Sequence, residues 1–412
     1  MNEQIKQRIV QLNNGEVPSG YEKTEFGVFP CDWAKVKTFG DLFDFYGGLG
    51  KSRDELGDEG HAYLHYGDLH RGAFNMVSHK QYEQLPKYDA TLKGNETYLM
   101  KDGDVAFLDA SEDLEGTSRA VVIDNPDNEP FVAGLHIIYG KSKDDSLDKW
   151  YKQYITLPES VRKQFQKLAV GFKVYGLNRE TLPKIHLAYP ESTAEQSKIA
   201  EILMKWDEAI ELQEEHIQKL TKRNKAIINS LIAPQAHWKS VKIRDVFEIT
   251  RGQVLSTTKC NPSGTYPVYS SQTANDGLMG YYDQYLFEDC ITWTTDGANA
   301  GDVNFRKGKF YCTNVCGVLI NNQGYANLCM AHIIGKVSKN YVSYVGNPKL
   351  MNNTMGIITV QLPPLNVQEK VSEIIETLTR EIQLHNEEKQ KLILQRKALQ
   401  QYLLNGIVRV EK

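Results

Sequence analysis

The sequence predicts an α+β fold in which two β-rich domains are separated by two long helices, arranged as an internal pseudo-two-fold repeat. The amphipathic stretch EQSKIAEIL, which begins at Glu195, recurs 172 residues later as VQEKVSEII, which begins at Val367. Each copy follows a segment of short β-type runs with glycine and polar turns, and each starts a long seam of apolar residues. Two copies are too few for a solenoid, so they indicate a pair of related units.

The repeat extends on both sides of this stretch. Upstream, Trp33 in CDWAKVKTFGDLFDFYGG matches Trp238 in AHWKSVKIRDVFEITRGQ. From this tryptophan to the glutamine of the helix there are 163 residues in the first half and 130 in the second, so the two domains are related but unequal. The identities at the 172-residue offset are Gln196 with Gln368, Lys198 with Lys370, Glu201 with Glu373, Leu220 with Leu392, Lys225 with Lys397, Ala226 with Ala398 and Leu231 with Leu403.

These matches divide the chain into four segments. A chain of 412 residues exceeds the size at which one hydrophobic core keeps growing, so two domains are expected. We predict a first β-rich domain over residues 1–188, a first helix over 189–233, a second β-rich domain over 234–361 and a second helix over 362–412. GDVAF, from Gly103, and EDCITW, from Glu288, are predicted to be the same strand in each domain.

Each helix carries apolar residues alternately four and three positions apart over more than four heptads, which is a strong coiled-coil signal. A helix of about 39 residues would be roughly 58 Å long, and the simplest partner for each apolar stripe is the other helix. Polar residues interrupt the seam at Gln213, Asn224, His385, Lys389 and Arg396, and such residues help to set register. The predicted seam consists of Ile199, Leu203, Trp206, Ile210, Leu220, Leu231, Val371, Ile375, Leu378, Ile382, Leu392, Leu399 and Leu403.

The apolar pattern does not decide whether the two helices run parallel or antiparallel. An antiparallel pair would place Ile199 across from Leu403, and Trp206 near Arg396, where a cation–π contact can form. A parallel pair would instead place Asn224 beside Arg396. Two helices packed separately on their own domains are the third arrangement. Only the antiparallel pair would carry the two domains at opposite ends of a rod and so act as a spacer.

The composition is that of an ordinary soluble protein, with 41% hydrophobic residues and a net charge of −4. We find neither an apolar run long enough to span a bilayer nor a signal-peptide pattern at MNEQIKQRIV, so a cytoplasmic location is expected. Charge is uneven: residues 233–360 carry eleven Lys or Arg against eight acids, and residues 161–187 carry six against one. Such basic clusters are typical of a DNA reader, and equally of a solvated surface.

No segment has the pattern of a catalytic or metal site. GGLGKS, from Gly47, imitates a P-loop, but Phe45 stands where that motif requires its first glycine. HAYLHYGDLH, from His61, is more typical of a strand running into a turn than of a metal site. Of the six cysteines only Cys312 and Cys316 lie close together, which favours reduced thiols over zinc. Because nucleophile-elbow, HExxH, dinucleotide-binding and amino-methyltransferase motifs are also missing from the sequence, we expect no catalytic residue and no metal.

The order of these features resembles a known family. TEFGVFPCDW, from Thr24, leads into the first domain; AYPESTAEQ, from Ala188, leads into the first helix; and LPPLNVQEKVSEII, from Leu362, leads into the second. Together with the duplication, this order resembles the specificity subunit (HsdS) of type I restriction-modification systems across essentially the whole chain. One departure is that Pro190 stands alone and further from its glutamine than Pro364 does, which leaves the start of the first helix open.

The resemblance implies that this chain is a non-catalytic subunit. It implies two target recognition domains that each read one half of a split, asymmetric DNA sequence, with the helices paired as an antiparallel coiled coil that sets the gap. It also implies docking of two methyltransferase (HsdM) subunits and of motor-nuclease (HsdR) subunits. S-adenosylmethionine, Mg and ATP are then expected on those partners, with no cofactor in this chain and no membrane. The alternatives are a coiled-coil scaffold that reads no sequence, and an unrecognised nuclease or methyltransferase.

Contacts to double-stranded DNA are predicted at polar and basic residues of glycine-rich loops, because such side chains bind base edges and phosphates. The stretch YSSQTANDGLMGYY, from Tyr269, offers amide side chains that pair well with adenine, or is a turn without a ligand. The predicted contacts in the first domain are Lys51, Ser52, Arg53, His70, Arg71 and Lys173. Those in the second are Arg251, Ser271, Gln272, Asn275, Thr295, Asn299, Arg306 and Lys307.

Overall fold

The computed structural model describes residues 3–33, 36–70, 76–88, 98–108, 110–111, 119–168, 175–176, 179–271 and 274–410. The chain divides into two compact units, Met1–Leu212 with Lys389–Lys412, and Gln213–Glu388. Each unit contains one β-rich domain and part of each long helix. The predicted α+β class is therefore confirmed.

The first unit starts with helix α1 (Glu3–Asn13) and the hairpin of β1 (Tyr21–Thr24) and β2 (Gly27–Pro30). The elements that follow are β3 (Lys37–Thr38), α2 (Phe39–Leu42), β4 (Phe43–Gly47), β5 (His61–Leu64), α3 (Tyr66–His70), β6 (Met76–Val77), α4 (His79–Gln84), β7 (Lys87–Tyr88), β8 (Leu99–Met100), β9 (Val105–Leu108), β10 (Ala110–Ser111), β11 (Ala120–Ile123), β12 (Phe131–Ala133), β13 (Ile137–Ser142), α5 (Glu159–Leu168), β14 (Tyr175–Gly176) and β15 (His186–Leu187). The first long helix, α6 (Thr193–Leu231), begins in this unit.

The two largest sheets of the first unit have five and four strands. The larger has the strand order β4-β13-β9-β11-β6, and the smaller has the order β7-β5-β12-β8. All residues of β9 and of β11 are buried. The rings of Phe39, Phe43 and Phe107 lie 6.0–6.2 Å apart between centroids in the core beside the larger sheet, a spacing at which tilted and edge-on aromatic contacts are favourable.

The second unit contains one six-stranded sheet with the order β17-β22-β20-β21-β18-β19. The elements in chain order are β16 (Lys239–Lys242), β17 (Glu248–Arg251), β18 (Tyr266–Tyr269), β19 (Leu278–Tyr282), β20 (Phe287–Thr294), β21 (Val303–Cys312), β22 (Cys316–Ile320), α7 (Leu328–Ser338), α8 (Asn352–Ile357) and β23 (Thr359–Leu362). The second long helix, α9 (Leu365–Leu404), begins in this unit. The long helices contain 39 and 40 residues, close to the predicted length.

The strand orders show the predicted repeat. The series β4-β13-β9-β11 in the first unit corresponds to β17-β22-β20-β21 in the second. Strands β9 and β20, which were predicted to be the same strand, hold the same place and are antiparallel to both neighbours. A two-stranded ladder then leads into each long helix, β3 with β15 in the first unit and β16 with β23 in the second.

The glutamine at the start of each repeated helix is an internal anchor. The fully buried Gln196 donates from Nε2 to the carbonyl of Pro190 at 2.8 Å, and its Oε1 accepts from the N–H of Asp148 at 2.7 Å. The fully buried Gln368 donates from Nε2 to the carbonyl of Pro363 at 2.7 Å. Each glutamine therefore ties its helix to the segment that precedes it, which explains why the residue recurs.

We expect Gln368→Ala to lower the free energy of unfolding by about 2–4 kcal/mol, because buried polar groups lose their partners. Those groups are the Pro363 carbonyl and the amide of Asn327, whose Nδ2 donates to the Gln368 side chain at 2.8 Å. The matched control is Glu369→Ala, one position further on the exposed face, for which about 0.5 kcal/mol or less is expected. Urea unfolding of both variants measures the difference; equal values would contradict the anchoring role.

The two long helices run antiparallel where they meet in the second unit. Gln213 on α6 donates from Nε2 to the carbonyl of His385 on α9 at 3.1 Å, and Asn224 donates from Nδ2 to the carbonyl of Leu378 at 3.0 Å. Residue numbers on α9 thus fall as those on α6 rise. Two polar residues that interrupt the predicted seam make these bonds, as expected for residues that set register.

The first unit shows the same direction. Arg396 donates from Nε and Nη2 to the carboxylate of Asp207 at 2.9 and 3.1 Å, and Ile199 and Leu403 lie in one core cluster, as an antiparallel register requires. The guanidinium carbon of Arg396 lies 5.7 Å from the ring centroid of Tyr154, so the cation–π contact of Arg396 is with this tyrosine, while the bonds to Asp207 place Arg396 beside the residue that follows Trp206. All the predicted seam residues are buried or half-buried.

The end of the chain is fastened to the first unit by an ion-pair cluster. Arg409 donates to both oxygens of Asp32 at 2.7 and 2.8 Å and to both oxygens of Glu195 at 2.7 and 2.9 Å. Gly406 has a φ of +67°, and a Cβ there would lie 2.5 Å from Pro30, so only glycine fits. The tail therefore links the start of α6 to the N-terminal segment of the same unit.

Candidate nucleic-acid interface

In the first unit, the predicted residues Lys51, Ser52 and Arg53 follow a close crossing of two loops. A Cβ on Gly48 would lie 1.7 Å from the carbonyl oxygen of Gly134, so a side chain at that position would force the loops apart. We call residues 48–53, 66–70 and 134–136 the first loop cluster.

Tyr63 on β5 holds this cluster together. Its fully buried hydroxyl donates to the carbonyl of Leu49 at 2.6 Å and accepts from the N–H groups of Lys51 and Leu135 at 3.1 and 2.9 Å. These three bonds use the full capacity of a tyrosine hydroxyl. Tyr63 was not among the predicted site residues, because an alternating strand pattern marks it only as a core position.

Charges in the first loop cluster are partly paired. Lys51 Nζ lies 2.8 Å from Glu55 Oε1, and Ser52 donates from its N–H and hydroxyl to Glu55 Oε2 at 2.9 Å. The bonds from Lys51 and Ser52 lower the pKa of Glu55 to about 2. Arg53 is exposed and lies next to Gly67 of α3. Its Nη2 is 3.6 Å from the position that a Cβ on Gly67 would occupy. The cluster thus brings Arg53 to the helix that ends at the predicted residue His70.

The second unit repeats the loop crossing at Gly252, which corresponds to Gly48. A Cβ on Gly252 would lie 2.1 Å from the carbonyl oxygen of Cys312. The N–H of Gly252 donates to the carbonyl of Cys316 at 3.1 Å, and that of Gln253 donates to the carbonyl of Cys312 at 3.0 Å. The crossing places Arg251, at the end of β17, beside the turn that joins β21 to β22.

Two further loops meet at this turn. Thr313 donates its N–H to the carbonyl of Tyr269 at 2.9 Å and its hydroxyl to Ser270 Oγ at 3.0 Å, and Thr295 donates its N–H to the carbonyl of Val315 at 3.0 Å. We call residues 251–253, 269–271, 275–277, 295–299 and 312–316 the second loop cluster. It brings together the predicted residues Arg251, Ser271, Asn275, Thr295 and Asn299.

Arg306 supports the second loop cluster from inside. Its guanidinium carbon lies 3.8 Å from the centroid of the Tyr269 ring, Nη2 donates to the carbonyl of Asp276 at 2.6 Å, and Nε donates to Thr292 Oγ1 at 3.2 Å. Burial lowers the pKa of Arg306. Asn275 and Asp276 have φ values of 50° and 52°, a left-handed conformation that asparagine and aspartate tolerate better than other non-glycine residues. Arg306 therefore holds a left-handed loop whose tip exposes Asn275.

Some of the residues predicted to contact DNA do not lie at the surface. Thr295 is fully buried, with its hydroxyl donating to the carboxylate of Asp296 at 2.6 Å, and Arg306 is only 9% exposed. Their burial corrects the prediction of direct DNA contact, because both side chains bond inside the unit. Lys307 is exposed but lies apart from the cluster, with Nζ 3.2 Å from Glu376 Oε1 on α9. The predicted residues Arg71, Lys173 and Gln272 lie outside the described residues.

Arg251 bonds to a region that the sequence pattern did not single out. Its Nε donates to Asn352 Oδ1 at 2.9 Å, and its Nη2 lies 3.3 Å from Met351 Sδ. These two residues follow a short hairpin over residues 343–349. The only sequence signal for that hairpin is Gly346 followed by Asn347 and Pro348, which indicates a turn but no function.

The two loop clusters present polar and cationic groups of the kinds that bind nucleic acid. Among the described residues, no three or more His, Cys, Asp or Glu side chains are grouped to hold a metal ion. Of the helices in the described part of the chain, none combines the length and apolar character needed to cross a membrane. The exposed Ser, Asn and Arg groups of these loops match the donors and acceptors of base edges and phosphates.

Comparison with known proteins connects this architecture to one family. The family model for the type I restriction modification DNA specificity domain matches residues 30–222 and again residues 235–394. A putative type I specificity subunit of Mycoplasma pneumoniae (S.MpnORF289P N-terminus) is 41% identical over 144 residues, which cover 34% of this chain and 76% of the relative. The type I restriction enzyme MpnII specificity subunit of the same organism is 32% identical over 156 residues, covering 37% of this chain and 47% of the relative.

Solved structures share the fold over nearly the whole chain. The S subunit of a type I restriction-modification system from M. genitalium has a TM-score of 0.57 at 17% identity, covering 90% of this chain and 96% of that one. A chain solved in work on complex assembly and conformational transition of the type I R-M system has a TM-score of 0.57 at 12% identity, covering 92% and 99%. At these identities the likeness concerns the fold.

Proposed function

The chain belongs to the type I restriction modification DNA specificity family, whose domain it carries twice, and we propose that its two loop clusters read the two halves of one split, asymmetric DNA sequence. The residues proposed to contact DNA are Lys51, Ser52, Arg53 and His70 in the first unit and Arg251, Ser271, Asn275 and Asn299 in the second, with Lys307 as a phosphate contact. Loss of a phosphate contact weakens binding to all sequences, whereas loss of a base contact changes which sequence is read.

The main support for the proposal is that the two units share one framework of strands and helix start but carry different loops on it. Both units have the same central strand order, a glycine crossing at Gly48 or Gly252 and a buried glutamine at the helix start. The loops on these frames differ, with Lys51 and Arg53 in one unit and Ser271 and Asn275 in the other. Because the frameworks match and the loop residues differ, the two units are suited to reading two half-sites of different sequence.

The paired helices support a spacer role in this proposal. Proteins that read two half-sites from the major groove favour a separation near one DNA turn, roughly 34 Å. Helices of 39 and 40 residues exceed that length at 1.5 Å per residue. We further propose that the helices and adjoining surfaces dock two methyltransferase subunits, and that motor-nuclease subunits join them. S-adenosylmethionine, Mg and ATP would then be bound by those partners, and this chain would be non-catalytic.

Single-molecule methylome sequencing tests the proposal. A host carrying this gene and a methyltransferase gene of the same system is compared with the same host lacking this gene. We expect a new methylated motif with two short halves around an unspecified gap. Asn275→Ala should alter only one half, while the control Asn322→Ala, at another exposed asparagine of the second unit, should alter neither.

Two results would contradict the proposal. If both proteins are made and associate but no motif appears, a scaffold that reads no sequence becomes the better description. If the purified chain alone cleaves DNA with magnesium, or methylates it with S-adenosylmethionine, the chain is an enzyme; we expect neither activity.

A further inference from the structure

The hairpin of residues 343–349, which we call the tip hairpin, presents two large side chains to solvent. Tyr344 is 71% exposed and Val345 is 93% exposed. The hairpin is closed, because Ser343 and Lys349 exchange two backbone hydrogen bonds of 2.9 Å, and Gly346 supplies a left-handed turn residue with a φ of +76°. The apolar groups are therefore held outward on a hydrogen-bonded protrusion, where exposed apolar surface is typical of an interaction site.

The base of the tip hairpin is anchored in the core and joined to the second loop cluster. Leu350, which follows the hairpin, is fully buried and accepts from the indole Nε1 of Trp293 at 3.0 Å. Its N–H donates to the carbonyl of Thr295 at 2.9 Å, and the N–H of Gly297 donates to the carbonyl of Pro348 at 2.9 Å. Thr295 and Gly297 belong to the second loop cluster, so the hairpin and the cluster form one continuous surface.

Cationic groups lie at the base of the protrusion. Arg251 bonds to Asn352 just beyond the hairpin, and Lys349 at the hairpin end lies 3.8 Å from the carboxylate of Asp296. Half-exposed side chains such as that of Lys349 can turn towards a phosphate at little cost, because surface ion pairs are weak. An apolar tip with cationic groups at its base matches a DNA groove, where the thymine methyl group is an apolar feature between flanking phosphates.

We propose that the tip hairpin is a further DNA-reading element of the second unit, in which Tyr344 and Val345 pack against base edges and thymine methyl groups in the major groove. This inference rests on the proposed function of the second loop cluster. It adds apolar readout to a surface whose other contacts are polar, and it assigns a role to two residues that have no interior packing to explain them.

The test is the double variant Tyr344→Ser, Val345→Ser, made in the full chain and expressed with the methyltransferase subunit. The matched control is Ile357→Ser, which also removes an exposed apolar side chain of the second unit. Methylomes are compared with wild type, and binding is measured by fluorescence anisotropy on duplexes that carry the wild-type motif or single base changes in it. We expect roughly a tenfold loss of discrimination at one or two positions of the half read by the second unit, with the other half and the control unchanged.

The possible outcomes separate this inference from the proposed function. Unchanged discrimination in the double variant, with a normal wild-type motif, would overturn the inference alone. Loss of co-purification with the methyltransferase subunit, with discrimination intact in the complex that remains, would assign the tip to a protein partner and also overturn it. Absence of any two-part motif in wild type would overturn the proposed function, and the inference with it.

Discussion

Insertion of one heptad into both long helices is expected to lengthen the gap between the two recognised half-sites while both halves keep their sequence. The insertion sites are between Leu212 and Gln213 on α6 and between Glu388 and Lys389 on α9, where the two compact units divide. Seven residues add about 10.5 Å of helix, equivalent to about three base pairs of DNA at 3.4 Å each. A whole heptad changes the phase of the apolar seam by only about 20°, so the seam stays closed.

These sites preserve the interhelical bonds inside each unit. The Asp207–Arg396 pair stays in the first unit, and the bond from Gln213 to the carbonyl of His385 stays in the second. The control is a heptad in α6 alone, which shifts one helix against the other and is expected to impair folding or assembly. Methylome sequencing gives the gap directly. A double insertion that folds, methylates and retains the original gap would show that the helices do not measure the spacing.

Arg306→Met is expected to abolish most discrimination in the half read by the second unit and to leave the first half unchanged. Methionine replaces the apolar stem of the side chain but removes the bonds to Asp276 and Thr292 and the guanidinium contact with the Tyr269 ring. Without the bond from Arg306 to the Asp276 carbonyl, we expect the loop to relax and carry Asn275 away. Loss of at least tenfold in discrimination is expected at the positions that Asn275 contacts.

The fold itself should survive Arg306→Met. The substitution also removes the cost of burying a guanidinium, which offsets the lost bonds, so we expect a change in unfolding free energy within about 2 kcal/mol. The neighbouring Lys307→Met is the control. It removes an exposed cation that pairs with Glu376 and is expected to weaken binding to all sequences equally, with a shallower salt dependence. Arg306→Met with unaltered base preferences and a normal melting temperature would refute the positioning role.

The repeat and the helices were predictable because their signals are local and periodic. The seam from Ile199 to Leu231 extends over more than four heptads, and any helix that carries it must bury one face. The matched pairs Gln196 with Gln368 and Trp33 with Trp238 gave the two units before any contact was known. The equivalence of β9 and β20 was predicted from the short strand patterns GDVAF and EDCITW.

The site residues were less predictable, because burial of a loop residue depends on contacts far away in sequence. Thr295 and Arg306 look like polar loop residues in the sequence, but the turn at residues 312–316 and the Tyr269 ring cover them. Asn275 was predicted as a contact and is exposed, yet its left-handed backbone and its dependence on Arg306 appear in no local pattern. Tyr63 and the tip hairpin were missed for the same reason.

The amino-acid sequence by itself determined the fold class, the internal repeat, the two long helices and the family, because periodicity and matched motifs act at short range along the chain. Tertiary structure decided the direction of the helix pair, through polar bonds such as those of Asn224 and Arg396 that only one register satisfies. It also decided which loops meet at Gly48 and Gly252 and which polar side chains reach the surface. Those outcomes depend on close backbone crossings between distant segments, where the absence of one Cβ permits an approach that no local pattern encodes.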